Sequence, residues 1–314
     1  GAARGRPRAD LPKHAGRALA SSRIDSVNTP KIVKTRAELK AAIAAANPGS
    51  LGFVPTMGAL HSGHASLFKA AREENELVVI SVFVNELQFN DANDYAKYPR
   101  QLDADVQLAA AAGVDIVFAP EASEIYHAGL PLVKLDSGAL GEMYEGASRP
   151  GHFDGMLAVV AKLLHLADPR RGEYRAYFGQ KDAQQLVLIR RMIADLDYPV
   201  ELRAVPIVRS EKGLALSSRN ALLSEEEKEA ALVLHRSIQL IADRAARNEP
   251  LYIEDAIGMY QMEPLVQLDY FVVVNPDTLQ ELAFNCQDTP FTGEGLVLVA
   301  AKVGSVRLID NQPI

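Results

Sequence analysis

The sequence contains a single cysteine, Cys286, so the chain cannot close a disulfide on itself. That suits a reducing compartment, and the expectation is a cytoplasmic protein in which Cys286 packs as a small apolar residue. No apolar run is long enough to cross a bilayer, so no membrane association is expected. An excess of base is also missing: Lys and Arg total 33 against 40 Asp and Glu, a net charge of −7. A nucleic-acid footprint needs basic residues in excess on one face, so no nucleic-acid partner is expected. A local basic pocket for a small anion stays compatible with this balance. Internal repeats are absent, and low complexity is confined to residues 1–29. That segment is rich in Arg, Ala, Ser and Pro without helical or strand period. Pro7, Asp10 and Pro12 interrupt any amphipathic helix of a transit peptide, so a disordered tail or expression remnant is expected there.

What is present is a globular composition, 48% apolar and 23% charged over 314 residues, a length that suits two domains. After Pro30, strand and helix patterns alternate. Leu51 to Val54 is a short apolar run, followed by a helical stretch with Leu67, Ala70 and Ala71 on one face. Leu77 to Val84 is β-branched and almost wholly apolar, as in a strand buried on both sides. Gln101 to Ala112 reads as a helix ended by Gly113, Asp115 to Ala119 as a strand, and Met156 to Leu166 as a helix. Tyr177-Phe178 closes another strand before a helix over Lys181 to Leu196. This alternation predicts an α/β fold, a Rossmann-like parallel sheet with helices on both faces, over residues 30–205. Beyond it, Ser224 and Glu227 form a capping box opening a helix that runs to Arg247. The apolar runs Leu268 to Val274, Leu296 to Val303 and Val306 to Ile309 have few helices between them. Residues 206–314 are therefore expected to form a smaller α+β lid domain with a more antiparallel sheet.

Ligands of an open parallel sheet bind beyond the carboxyl ends of its strands, so the segments just after strands carry the chemistry. The first is Pro55-Thr56-Met57-Gly58-Ala59-Leu60-His61-Ser62-Gly63-His64. Two histidines three apart at a helix start lie on one side of its first turn, where free backbone N–H groups and the helix dipole favour an anion. Gly58 and Gly63 are expected to let the backbone approach a phosphate, and the imidazoles to donate hydrogen bonds to it. The second is Leu216-Ser217-Ser218-Arg219-Asn220, two hydroxyls and a guanidinium suited to a triphosphate. Alone it is a polar turn; with H-x-G-H it resembles the two-part signature of the nucleotidyltransferase superfamily that includes class I aminoacyl-tRNA synthetases. The third is Gly179-Gln180-Lys181-Asp182, where Lys181 can reach phosphate and Asp182 can accept from ribose hydroxyls. The fourth is a pair of glutamines, Gln88 and Gln185, each just beyond a strand end. A neutral amide orients a carboxylate without the tight hold of an arginine, and so leaves it nucleophilic.

Taken together these motifs resemble the pantothenate synthetase (pantoate–β-alanine ligase) family. The stretches that carry the likeness are VPTMGALHSGH, VVISVFVNELQF, YPRQLDAD, EGASRPGHFDGMLAVVAKLL, YFGQKDAQQLVLIRRM, VPIVRSEKGLALSSRN and RLIDN, in order from Val54 to Asn311. The resemblance implies ATP-dependent condensation of pantoate with β-alanine through a pantoyl adenylate, with Mg²⁺, in a homodimer. It implies that Met57, Gly58, Ala59, Leu60, His61, Ser62, Gly63 and His64 bind ATP, with His64 the catalytic histidine. Gly179, Gln180, Lys181, Asp182, Val208, Leu216, Ser217, Ser218 and Arg219 complete the nucleotide site. Gln88 and Gln185 would hold pantoate, Gln88 also lying near β-alanine, and Asp105 stands where the family has an acidic residue near the metal. Two positions depart from the family pattern. Glu86 replaces the usual proline of VNP-x-QF and is expected to point outward, and Gln180 replaces the frequent glutamate of FGEKD. Two alternatives stand beside this reading: a nucleotidyltransferase acting on a phosphate acceptor, which would call for Lys or Arg beside Gln88, and a non-catalytic ATP-binding protein, which need not keep His64, Lys181 and Arg219.

Overall fold

A computed structural model describes residues 28–282 and 288–314. The expectations for Cys286 and for most of the 1–29 tail lie outside the described residues. The chain opens with β1 (Lys31–Val33) and α1 (Arg36–Ala46), which is started by a capping box of Thr35 and Glu38. β2 (Ser50–Thr56), α2 (Ser62–Glu74), β3 (Leu77–Val82), α3 (Ala92–Lys97), α4 (Leu102–Ala111), β4 (Ile116–Phe118), α5 (Ala122–Ile125), α6 (Glu145–Ser148), α7 (His152–Leu166), β5 (Glu173–Gly179), α8 (Ala183–Asp195) and β6 (Glu201–Val205) follow. All six strands pair in parallel, in the order β1-β4-β3-β2-β5-β6.

The expected double-sided burial is visible along single strands. Phe53, Val79 and Phe118 face a core built with α1, α7 and α8, and the alternate residues Val54, Val78, Ile80 and Val117 face Phe68, Ala71 and Ala109 of α2 and α4. Ten of the fifteen residues of α7 are buried, which explains why that helix is apolar on almost every side. It begins at His152, four residues before the predicted Met156, because Gly151 turns the chain at φ +79° and His152 and Phe153 are already buried.

The second sheet joins β7 (Val266–Val274), β8 (Leu296–Val303) and β9 (Val306–Pro313), antiparallel throughout. It packs on α9 (Glu225–Ala246), capped by Ser224 and Glu227 as the sequence predicts, and on α10 (Ile253–Gly258). The two sheets meet through Ala183 and Val187 of α8 against Val274, Leu296 and Leu298, and through polar links. Arg307 on β9 pairs with Glu145 at 2.6 Å, and the Tyr270 hydroxyl donates to the same carboxylate oxygen at 3.0 Å. Among the described residues no helix is long and apolar enough to cross a membrane.

The chain runs from β2 outward to β3 and β4 on one side, then returns to β5 and β6 on the other. The order therefore reverses between β2 and β5, the place where an open α/β sheet leaves a crevice at its carboxyl edge. The loops that leave those two strands are 57–61 and 180–182.

Candidate nucleotide and acid site

The turn after β2 is left-handed at two consecutive residues, Gly58 (φ +79°) and Ala59 (φ +51°). Asp105, on the first turn of α4 and 1% exposed, clamps it. One carboxylate oxygen accepts from the Ala59 N–H at 3.1 Å, the other from the Leu60 N–H at 2.8 Å. A Cβ at residue 58 would lie 2.9 Å from that carboxylate, so glycine is required there by the close approach as well as by φ.

His61 then caps α2. Its Nδ1 accepts from the Gly63 N–H at 3.0 Å, and the Nδ1 of His64 accepts from the His61 N–H at 3.2 Å. The two rings sit 4.3 Å apart. A backbone N–H can only donate, so each Nδ1 carries a lone pair, and each neutral imidazole presents Nε2–H on its far side. Both rings are held neutral. Burial lowers the pKa of His61, with Lys181 adding to the effect, and brings His64 down to about 4, aided by His61 and opposed by Asp182.

This geometry corrects one part of the sequence reading. The predicted free backbone donors are largely occupied: Gly58 N–H goes to Thr56 Oγ1, Ala59 and Leu60 to Asp105, His61 to His64, Gly63 to His61, and His64 to the His61 carbonyl. The turn's two imidazoles each keep an Nε2–H that takes no part in these bonds and can donate. Gly63 is small because a Cβ there would press within 2.7 Å of the His61 ring, and Leu60 is a core residue.

Across the crevice, Gly179 ends β5 and Gln180, Lys181 and Asp182 lead into α8. Gln180 donates to Asn311 Oδ1 at 3.1 Å, and Asn311 donates back to the carbonyls of Gln180 and Lys181 at 2.9 and 3.0 Å. The Gln180 amide therefore serves as donor, which an ionised glutamate in its place could not do. Asp182 is exposed, and its charge acts on His64, Tyr98, Arg149 and His152. Val208 accepts from the Leu216 N–H at 2.9 Å, tying the Leu216–Arg219 segment back on itself. Ser217 Oγ accepts from the Arg219 N–H, Ser218 is exposed, and Arg219 donates to the Arg307 carbonyl at 3.3 Å.

The glutamines differ in their setting. Gln88 is buried at the end of a short 3-10 turn, Glu86–Gln88, whose Glu86 is exposed as expected. Its Oε1 accepts from Asn85 at 3.0 Å and its carbonyl faces His152 Nδ1 at 2.7 Å. Gln185 is half-buried on α8 and its side chain bonds to no described residue. Its neighbour Gln184 is a cross-link instead, donating to the carbonyls of Leu140 and Met143. Sequence reasoning assigned no role to Asn85, Tyr98, Tyr126, Arg149 or His152. Arg149 and His152 flank Gly151 at the start of α7, within one of the quoted motifs. Burial pulls the Arg149 pKa below its usual value, with Arg219 adding to it, and burial beside Arg149 takes His152 to about 4.

Magnesium meets a restricted donor set here. Among the described residues no group of three or more His, Cys, Asp or Glu side chains is placed to hold a metal. Asp105 has one lone-pair position on each oxygen taken by a backbone N–H, and a carboxylate offers about four. The site thus suits a cation that arrives on phosphates and keeps its waters, with at most one protein carboxylate beside it.

A model of the pantoate-beta-alanine ligase family matches residues 31–313 of the chain. Over 286 residues the chain is 59% identical to the pantothenate synthetase of Paenarthrobacter aurescens (strain TC1), covering 89% of this chain and 97% of that protein. It is 55% identical over 265 residues to the pantothenate synthetase of Corynebacterium glutamicum (strain R), covering 83% and 92%. The crystal structure of pantothenate synthetase from Thermus thermophilus superposes with a TM-score of 0.80 at 43% identity, covering 90% of this chain and 98% of that one. The pantoate-beta-alanine ligase of Francisella tularensis, solved in complex with beta-gamma ATP and beta-alanine, superposes with a TM-score of 0.70 at 33% identity, covering 90% and 97%.

Proposed function

Since the chain belongs to the pantoate–β-alanine ligase family, we propose that it joins pantoate to β-alanine at the expense of ATP, through a pantoyl adenylate. In the first step a pantoate carboxylate oxygen attacks the α-phosphorus, and pyrophosphate leaves with the electron pair of the broken P–O bond. In the second the β-alanine nitrogen attacks the acyl carbon, AMP leaves, and the amine releases a proton.

The observation that carries this reading is the pair of imidazoles at the switch point of the sheet, each with Nδ1 taken by a backbone N–H and Nε2–H left to donate. His64, and with it His61, donates to oxygens of the α-phosphate as charge builds there. A ring with a pKa of about 4 is not an imidazolium at neutral pH, so His64 acts by hydrogen bonding rather than as a charged acid. Lys181 and Arg219 supply charge to the triphosphate from either side, and Asp182 accepts from ribose. Met57 to His64, Gly179 to Asp182, Val208 and Leu216 to Arg219 enclose the nucleotide. Gln88 and Gln185 orient pantoate. Mg²⁺ bound with ATP would neutralise phosphate charge, with Asp105 the carboxylate nearest to that role.

The division into a nucleotide- and pantoate-binding domain, 30–205, and a lid, 206–314, is part of the proposal; the parallel sheet ends at Val205. So are a cytoplasmic location and a homodimer. Leu130, Leu132 and Val133 are exposed by 62%, 97% and 92%, an apolar segment that a second copy would cover.

The test is an assay with ATP and pantoate, with and without β-alanine. Pyrophosphate is expected with pantoate alone and AMP only once β-alanine is added. Absence of pantoate-dependent pyrophosphate rejects the reading.

A further inference from the structure

We propose that Tyr126, which takes no part in the reaction outlined above, is a positioning residue whose phenol anchors the oxygen end of an Asn85 amide oriented by the Gly155 carbonyl, and so helps to hold Gln88 with its donor end free for the acid substrate. The proposal rests on Gln88 being a pantoate-binding residue.

The relay has three members. The Tyr126 hydroxyl donates to Asn85 Oδ1 at 2.5 Å. Asn85 is fully buried, and its Nδ2 donates to the Gly155 carbonyl and to Gln88 Oε1, both at 3.0 Å. The Gly155 carbonyl can only accept, so Nδ2 must face it, and Oδ1 must face the other way. Among the described residues, the Tyr126 phenol is the donor that meets it there. With the Asn85 amide so fixed, Gln88 Oε1 is occupied and its Nε2–H₂ is the free end.

The chemistry needs that end. A carboxylate accepts hydrogen bonds and donates none, so a Gln88 turned the other way would set lone pair against lone pair. Polarity at the substrate is thus set behind Gln88, by the Gly155 carbonyl and the phenol that meet the two ends of the Asn85 amide. A phenol is well suited to this role, because burial raises its pKa and it stays a donor throughout the working pH range. Its ring is held between Phe83, at 6.3 Å, and the Lys162 ammonium, 5.9 Å from the ring centre.

Tyr126→Phe removes one oxygen and keeps the ring. It leaves Asn85 Oδ1 buried without a donor, so the amide loses its anchor on that side and is held less firmly against the Gly155 carbonyl and Gln88. The expected result is a KM for pantoate raised about tenfold, the order of one lost buried hydrogen bond. The KM for ATP should change less than about threefold. The primary amide of pantoate can donate as well as accept, so as a competitive inhibitor it should weaken less, and the preference for pantoate over it should fall about fivefold. Equal losses for ATP and pantoate, or an unchanged preference, would overturn the proposal. A second measurement needs no substrate. In ¹⁵N-labelled protein the Asn85 side-chain amide protons should exchange slowly with solvent, and at least about tenfold faster in Tyr126→Phe. Unchanged exchange overturns the relay whatever the acid is. If the unmodified protein releases no pyrophosphate with pantoate, the functional reading fails, and the exchange measurement still decides the relay.

Discussion

The Nδ1 of His64 accepts the backbone N–H of His61 at 3.2 Å, so the second histidine of H-x-G-H caps the residue that carries the first. The motif is a capping box made of two imidazoles in place of the usual Ser/Thr and Glu. Each ring has a structural end at Nδ1 and an end at Nε2 to which the proposed function assigns the chemistry. His64→Ala removes both. A fall in kcat of roughly 10²–10⁴ is expected, the range for a lost positioned donor. Steady-state turnover measures it, and near-normal kcat would remove His64 from the chemistry.

The buried histidines also predict an acid response. His64 and His152 each fall from 6.5 to about 4 in the folded protein. Between those values the unfolded chain takes up protons that the folded chain refuses. Their contribution to stability is therefore complete above about pH 6.5 and is lost as pH falls toward 4. Melting temperature should drop across that window, and the drop should shrink in the double variant His64→Asn/His152→Asn. Parallel curves for the two proteins would contradict the burial argument.

Asp105 should matter to stability as well as to nucleotide binding. Asp105→Ala leaves the N–H groups of Ala59 and Leu60 without their acceptor beside a left-handed Gly-Ala pair. Hydrogen bonds to a charged group contribute about 1.5–3 kcal/mol each, so a loss on the order of 3 kcal/mol is expected in urea denaturation, with a raised KM for ATP. Unaltered stability would show that the turn holds itself.

Gly155→Ala tests the seat of the acid site. A Cβ there would meet the Leu87 carbonyl at 2.2 Å, forcing the Glu86–Gln88 turn away from α7. Destabilisation of about 1–3 kcal/mol, typical of overpacking, and a raised KM for pantoate are expected. Calorimetry and kinetics on the same preparation would check both.

Glu86→Pro should be mild. Asn85 already sits at φ −89°, ψ 110°, as the residue before a proline must, and residue 86 opens its turn. KM for pantoate should stay within about threefold of the parent value. A large loss would mean that the loop is built around Glu86 itself.

How far the sequence could be read depended on the range of the contacts involved. β3 was legible because a strand buried on both faces must be apolar at every position, and α9 because Ser224 and Glu227 are three residues apart. β1 has three residues with only Val33 buried, too little for a period to show. α1 carries a capping box, Thr35 and Glu38, that is readable at the same three-residue spacing. At the site, the two histidines lie close enough in sequence to be seen as a pair. The occupation of the backbone donors was hidden, because the Asp105 that takes two of them is 46 and 45 residues from its partners. Tyr126 is 41 residues from Asn85, and His152 is 64 from Gln88; no local pattern marks either.

Asn311 on β9 holds the carbonyls of Gln180 and Lys181 from a distance of 131 and 130 residues along the chain. A ribosome makes the parallel sheet first and β9 well after it. The loop that carries Lys181 therefore emerges, and its strands can pair, before the residue that braces it exists. The segment around Lys181 is secured only when β9 docks, a contact of long range in sequence that depends on the last part of the chain to be made.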